Sequence, residues 1–257
     1  MDVTAVHVTL LVAAGVAAGI INGVVGSGTL ITFPVLVALG LPPVVANGTN
    51  TTGMFPGALS ATWPSRRELT PRWRRLWPLA LVSFVFALFG ALLVIVLPPA
   101  VFTAVVPWLI GGAVVLVAIQ PLVVTRLKER DSGRETPTGP PGTGLLAAIA
   151  GTGTYGGYFG AAQGVLLLAV LGILDDTDPR RANGVKNLLT FAANSAAALV
   201  FIVTGRVVWP AAIAIGVGAI VGGYIGGHGA RRLPQWMFRL IIMGVGIAAA
   251  LSLLLRH

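Results

Sequence analysis

The chain alternates long apolar runs with short polar or glycine-rich breaks, and most runs reach the length of a membrane helix. A helix needs about 20 apolar residues to cross the hydrocarbon core of a bilayer. On this basis the pattern predicts helical segments near 6–25, 29–40, 44–63, 76–97, 101–124, 144–160, 164–174, 182–203, 207–228 and 235–255. The sequence therefore predicts an all-α integral membrane protein.

Two of the predicted segments, 29–40 and 164–174, are too short to cross the membrane comfortably. Each follows a longer apolar run after a glycine-rich break, at 26–28 and at 160–164. We interpret each long run and its short partner as a broken helical hairpin, which either crosses twice or is re-entrant. In both cases the two ends of the hairpin lie on one side of the membrane.

Composition agrees with a membrane protein and excludes several classes of function. Charged residues make up 10% of the chain, against about 25% in soluble proteins. The absence of cysteine excludes disulfides and thiolate metal sites, and no Walker-type phosphate loop is present. We expect no cofactor, no metal site and no catalytic residues. The net charge of +9 does not indicate nucleic-acid binding, because the basic residues lie in short loops between apolar runs.

The basic residues also predict the orientation of the chain. Of the 17 Lys and Arg residues, 14 fall in four regions, at 64–75, 125–143, 180–181 and 231–239. Because positive loops stay on the cytoplasmic side, we predict a multi-pass protein of the inner (plasma) membrane with both termini outside.

An internal repeat divides the chain. The run Ala-Asn-Gly-Thr-Asn at 46–50 recurs as Ala-Asn-Gly-Val-Lys at 182–186, at an offset of 136, and the order of long run, break, short run and further helices recurs as well. The charged, Pro- and Gly-rich linker 125–143 separates an N-terminal repeat, 1–124, from a C-terminal repeat, 144–257.

Each half contains five predicted segments, and an odd number gives the two halves opposite orientations. Inverted repeats with broken helices at matching positions are typical of secondary transporters, which bind substrate near the membrane midplane where the repeats meet. The repeat therefore predicts a transporter with a central site, whose partners are a small substrate and the lipid bilayer.

The two breaks are the first candidates for that site. Unpaired N–H groups at a helix start, together with the helix dipole, bind anions, and glycine allows close approach. We expect the two helix starts to face each other across the site; the alternative is that the glycines only let helices pack closely. The candidate residues at the breaks are Ser27, Gly28, Thr29, Gln163 and Gly164.

A polar stripe with helical spacing supplies the second set of candidates. Lys186 is the one Lys or Arg within a predicted segment, and its expected role is to attract an oxyanion as a compact charge. The alternative is that it extends to the membrane surface. All eight acidic residues lie in predicted loops or termini, which excludes a buried carboxylate relay. The stripe and its counterpart in the first half comprise Asn183, Lys186, Asn187 and Asn194, and Asn47, Asn50 and Thr51, with Asn22 on the first segment.

The same residues carry a family resemblance. The run Gly-Ile-Ile-Asn-Gly-Val-Val-Gly-Ser-Gly-Thr-Leu-Ile-Thr-Phe-Pro-Val-Leu at 19–36, followed by 46–50, resembles the sulfite exporter TauE/SafE family of permeases. The corresponding run in the second half, Gly-Gly-Tyr-Phe-Gly at 156–160 followed by 182–187, resembles the same family. The resemblance implies a permease for small sulfur oxyanions or organosulfonates such as sulfite, sulfoacetate or taurine-like molecules. Val170 in place of Pro34, and the additional Gln163, are departures that leave the substrate open.

Together these observations predict a permease for a small anion that works by alternating access. An anion channel is the first alternative. An intramembrane enzyme is a further alternative, but it is disfavoured because Val25 stands where a rhomboid-like Gly-x-Ser-Gly motif needs glycine. Transport is either facilitated or coupled to an ion, a proton or sodium. The oligomeric state is not determined by the sequence.

Overall fold

A computed structural model describes residues 4–130, 139–175, 179–229, 240, 242–248 and 250, and throughout these residues the chain contains helices and no strands. The predicted last segment, 235–255, lies largely outside the described residues. So do residues 131–138 of the predicted linker.

The helices follow the apolar runs closely. They are α1 Ala5–Val24, α2 Thr29–Ala38, α3 Pro43–Thr62, α4 Arg66–Leu69, α5 Trp73–Val96, α6 Pro99–Arg130, α7 Thr143–Tyr158, α8 Gln163–Leu174, α9 Pro179–Val203 and α10 Trp209–Gly229. Nine of them correspond to the first nine predicted segments, so the pattern located both breaks and both short helices.

Two regions differ from the prediction. The predicted loop 64–75 folds as the short helix α4 between two 3₁₀ turns, Trp63–Ser65 and Thr70–Arg72. A proline stands in the first turn of each, where its missing N–H costs nothing. The helix α6 continues to Arg130, into the predicted linker, because the charged residues there are good helix formers.

In the described part of the chain, five helical stretches are long and apolar enough to cross a membrane. They are Ala5–Val24, Pro43–Val96, Pro99–Leu122, Arg181–Val203 and Trp209–His228, of which the second contains both α3 and α5. The short helices α2 and α8 have 10 and 12 residues. They extend about 15 and 18 Å, roughly half of the ~30 Å hydrocarbon core. Neither can cross the membrane by itself.

The two halves of the chain are interleaved. The first helix of each half packs on the fourth predicted segment of the other, α1 on α10 and α7 on α5, while α3 and α9 pack on each other. The contacts are close: a Cβ on Gly19 would lie 2.6 Å from the carbonyl oxygen of Ala219. Small residues permit such backbone contact between membrane helices. The packing brings the breaks after α1 and α7 together.

Candidate functional site

The two glycine-rich breaks are in direct contact. The N–H of Gly164 donates a hydrogen bond to the carbonyl of Gly26, at 3.1 Å. A Cβ on either glycine would overlap the backbone of the other. Gly26 also has φ +85°, in the left-handed region that favours glycine. The start of α8 therefore lies against Gly26, the first residue of the break before α2, with no space for a side chain between them.

The start of α2 presents unpaired donors. Its first hydrogen bonds are from Leu30 N–H to the Ser27 carbonyl and from Ile31 N–H to the Gly28 carbonyl. Among the described residues, the N–H groups of Ser27, Gly28 and Thr29 have no acceptor. The Ser27 side chain is 1% exposed, and its Oγ has no partner there either. Three N–H groups and a hydroxyl at a helix N-terminus are a donor set suited to an anion.

The start of α8 resembles that of α2 in part. The N–H groups of Ala161 and Ala162 have no acceptor among the described residues, and Ala162 has φ +58°. Gln163 is buried, and its Nε2 donates to the Thr152 carbonyl at 3.1 Å, while its Oε1 has no described partner. The side chain of Gln163 thus ties α8 back to α7.

Lys186 is completely buried beside the contact between the two breaks, which we call the junction. Its exposed fraction is 0%, and its Nζ donates to the carbonyls of Asn22, at 3.1 Å, and Gly23, at 3.3 Å. These carbonyls lie at the C-terminal end of α1, where the helix dipole is negative. Its Cδ lies 3.1 Å from the position of a Cβ on Gly164. The alternative in which Lys186 extends to the membrane surface is therefore wrong in this structure.

Among the described residues, the Lys186 ammonium has no acidic partner. The ion pairs among the described residues involve Asp175 with Arg72 and Arg75, and none of the described carboxylates pairs with Lys186. In the described part of the chain, its charge is compensated by carbonyl dipoles. A buried charge without a full counter-charge is costly.

Two asparagines at matching positions of the halves brace the junction. Asn47 Nδ2 donates to the carbonyl of Tyr158, the last residue of α7, at 2.9 Å. Asn183 Nδ2 donates to the carbonyl of Gly23, near the end of α1, at 3.2 Å. The Oδ1 of each asparagine is buried and has no partner among the described residues.

Asn50 stands at the position in the first half that corresponds to Lys186. It accepts a hydrogen bond from the Thr32 hydroxyl and donates through Nδ2 to Thr29 Oγ1 at 3.4 Å. Asn187 donates to the Ala61 carbonyl at 3.1 Å. These predicted site residues connect helices in the structure: Asn50 joins α3 to α2, and Asn187 joins α9 to α3.

The remaining predicted site residues are less closely connected to the breaks. Asn22 is buried, and its backbone carbonyl contacts Lys186, but its side chain forms no hydrogen bond with a described residue. Thr51 is buried in α3, and Asn194 is half-buried in α9. No hydrogen bond among the described residues links Thr51 or Asn194 to the two breaks.

One feature was missed by the sequence reasoning. Asp175, predicted to lie in a loop, follows the end of α8 and is buried there. Arg75 Nε donates to its Oδ1 at 3.0 Å, and the Arg75 Nη1 donates to the Gly139 carbonyl. The pair joins the beginning of α5 to the end of α8. No local signal indicates it, because the partners stand 100 residues apart.

Comparison with known proteins identifies a family and several relatives of the chain. The sequence pattern of the family described as "Sulfite exporter TauE/SafE" matches residues 11–253. The chain is 31% identical over 252 residues to "Probable membrane transporter protein ORF9" of Sinorhizobium sp, covering 95% of this chain and 91% of that protein. It is 30% identical over 240 residues to "Probable membrane transporter protein YfcA" of Escherichia coli (strain K12), covering 92% and 86%. A further relative, "Probable membrane transporter protein" of Haemophilus influenzae, is 29% identical over 227 residues, covering 88% and 86%.

No solved structure matches the chain significantly. The family match nevertheless extends over nearly all of the sequence, including both breaks and the Lys186 helix. The relatives match over most of their own length as well. The chain therefore belongs to the sulfite exporter TauE/SafE family and is a membrane transporter.

Proposed function

We propose that this transporter carries a small anion, a sulfur oxyanion or an organosulfonate such as sulfite, sulfoacetate or a taurine-like molecule. The observation that carries the proposal is Lys186, a fully buried ammonium beside the junction of the two breaks, without a carboxylate partner among the described residues. An anion bound there supplies the counter-charge that the carbonyls of Asn22 and Gly23 supply only partly.

The donors around the junction favour an oxyanion. The unpaired N–H groups at the start of α2 and the hydroxyl of Ser27 point to a ligand with several acceptor oxygens. Sulfite and sulfonate groups have three such oxygens. A halide would use the charge of Lys186 but would present one acceptor atom, whereas an oxyanion can meet separated donors with different oxygens.

The packing of the helices supports an alternating-access mechanism between inverted repeats. The exchange of partners between halves, α1 on α10 and α7 on α5, is what a two-fold relation between the halves would produce. In this mechanism one half rocks against the other. The Gly26–Gly164 contact then opens to one side of the membrane, and the anion reaches Lys186 from that side.

Anion binding to the purified protein tests this proposal. The thermal stability of the wild type is measured in sodium sulfite, sulfate, thiosulfate, taurine and sulfoacetate, with sodium gluconate at equal ionic strength as the reference. A ligand that binds only the folded state raises the apparent unfolding temperature in a concentration-dependent way. We expect such a rise for at least one sulfur anion, and none with Lys186→Met.

The matched control is Ser195→Ala on the same helix. The Ser195 hydroxyl bonds only to the Phe191 carbonyl of its own helix, so this variant removes a polar group without touching the junction. It should retain the full response to the anion. A rise of equal size in Lys186→Met, or no rise with any of the sulfur anions, would overturn the proposal.

A further inference from the structure

A separate cavity of about 320 Å³ lies beside the segment that connects α3 to α5. Leu59, Leu69 and Leu188 line it together with Trp63, Trp73 and Arg66. None of the residues that line it belongs to the site described above. The cavity is almost entirely apolar, so a small hydrophilic anion would find few partners inside it.

The two tryptophans place this cavity at a membrane surface. Trp63 is 57% exposed and Trp73 is 52% exposed, and both stand where a long apolar helix gives way to a charged connection. Half-exposed indoles at such positions are typical of the boundary between lipid tails and head groups. Leu59 is similarly exposed on α3, so the cavity continues onto the face that contacts lipid.

The rim of the cavity is positively charged. The Arg66 guanidinium lies 4.6 Å from the ring centre of Trp63, and its Nη1 donates to the Trp63 carbonyl at 3.0 Å. These contacts fix the guanidinium at the edge of the apolar space. Arg67 and Arg74 are also exposed in this connection, against a single acid, Glu68.

We propose that this cavity binds an anionic phospholipid, with its phosphate at Arg66 and an acyl chain between Trp63 and Trp73. A fixed cation over an apolar space flanked by indoles matches a ligand with a negative head and a hydrocarbon tail. A free phosphate would leave the apolar lining unused, and a zwitterionic lipid would bring an ammonium group to the net positive rim, which offsets the gain from its phosphate. The proposal does not depend on which anion the protein transports.

Lipid retention by the purified full-length protein tests this assignment. Detergent-solubilised wild type is incubated with phosphatidylglycerol or phosphatidylcholine of identical chains, and retained lipid is measured by mass spectrometry. A parallel thermal-stability series uses glycerol phosphate, which has the head-group charge without the acyl chains. We expect preferential retention of phosphatidylglycerol and no stabilisation by glycerol phosphate.

Two variants and a control assign the site. Arg66→Gln should weaken phosphatidylglycerol retention about fivefold, as for the loss of one basic side chain at an anionic surface, and should weaken phosphatidylcholine retention less. Trp73→Ala should weaken both lipids. Arg206→Gln, an exposed arginine in the connection between α9 and α10, should behave as the wild type.

Three results would overturn the inference. Equal retention of the two lipids by the wild type would exclude head-group selectivity. Unchanged phosphatidylglycerol retention in Arg66→Gln would remove this cavity as the site. Stabilisation by glycerol phosphate equal to that by phosphatidylglycerol would assign the effect to phosphate alone. Because the Arg66 side chain is on the surface, its variant remains informative even if Trp73→Ala fails to fold.

Discussion

Asn47 and Asn183, 136 residues apart, each donate a side-chain hydrogen bond to the end of the first helix in the opposite half of the chain. Asn47 reaches the carbonyl of Tyr158 in α7 at 2.9 Å, and Asn183 reaches the carbonyl of Gly23 in α1 at 3.2 Å. Each half thereby holds the helix end that precedes the break of the other. The contact between the two breaks is fixed from both sides by equivalent bonds.

Removing either amide should destabilise the protein to a similar extent. Asn47→Ala and Asn183→Ala each lose one interhelical hydrogen bond, and such bonds contribute about 0.6 to 1.7 kcal/mol within membranes. Thermal or denaturant unfolding in detergent measures the effect, with Ser195→Ala as the control that loses only a bond within one helix. A loss confined to one of the two asparagines would contradict their equivalence.

The contact between the breaks should not tolerate a side chain. In Gly164→Ala the new Cβ overlaps the backbone of Gly26, and such overpacking costs about 1–3 kcal/mol. We expect protein that still inserts but has lost most of its uptake of the transported anion. Gly151→Ala on α7 is the matched control, because a Cβ there meets nothing within 4 Å. Full uptake by Gly164→Ala would show that the breaks need not touch.

The buried ion pair between Arg75 and Asp175 should be sensitive to the loss of one partner. Asp175→Ala leaves the Arg75 guanidinium, itself largely buried, without its carboxylate. Breaking one side of a buried pair costs about 3–5 kcal/mol. The double variant Arg75→Met/Asp175→Leu removes both charges and should recover much of this loss in an unfolding assay. If the double variant is no more stable than Asp175→Ala, the pair is not the source of the effect.

The proposed inverted repeats predict that matching loops lie on opposite sides of the membrane. Thr70 and Arg206 are exposed and occupy positions 136 apart, and the chain has no native cysteine. A membrane-impermeant thiol reagent applied to intact cells should label Arg206→Cys and not Thr70→Cys. Both should react once the membrane is permeabilised. Labelling of both from the same side would exclude the inverted topology.

The helices could be predicted because membrane helices are long apolar runs and their breaks contain glycine and polar residues. The starts of α2 and α8 followed from the glycines at 26–28 and 160–164, since glycine readily adopts the φ of +85° found at Gly26. The 3₁₀ turns around α4 were not predicted. Their prolines are compatible with both a loop and a first helical turn.

Lys186 could be singled out because a charge within an apolar segment is rare. Its partners could not, because they are backbone carbonyls of Asn22 and Gly23, which carry no residue-type signal. The burial of Asp175 could not be predicted from the sequence either, since it depends on packing against Arg75 from another helix. Sequence patterns identify which residues are exceptional, whereas tertiary contacts determine what those residues bind.

Anion counterflow in proteoliposomes tests whether the protein transports a sulfur anion and whether transport needs Lys186. Vesicles containing the wild type are preloaded with unlabelled sulfite or sulfoacetate, and the uptake of the same radiolabelled anion is followed. We expect saturable uptake by the wild type that preloading accelerates. Uptake by Lys186→Met should be no faster than in protein-free vesicles. Uptake by Lys186→Met equal to that of the wild type, or no uptake by the wild type above protein-free vesicles, would contradict it.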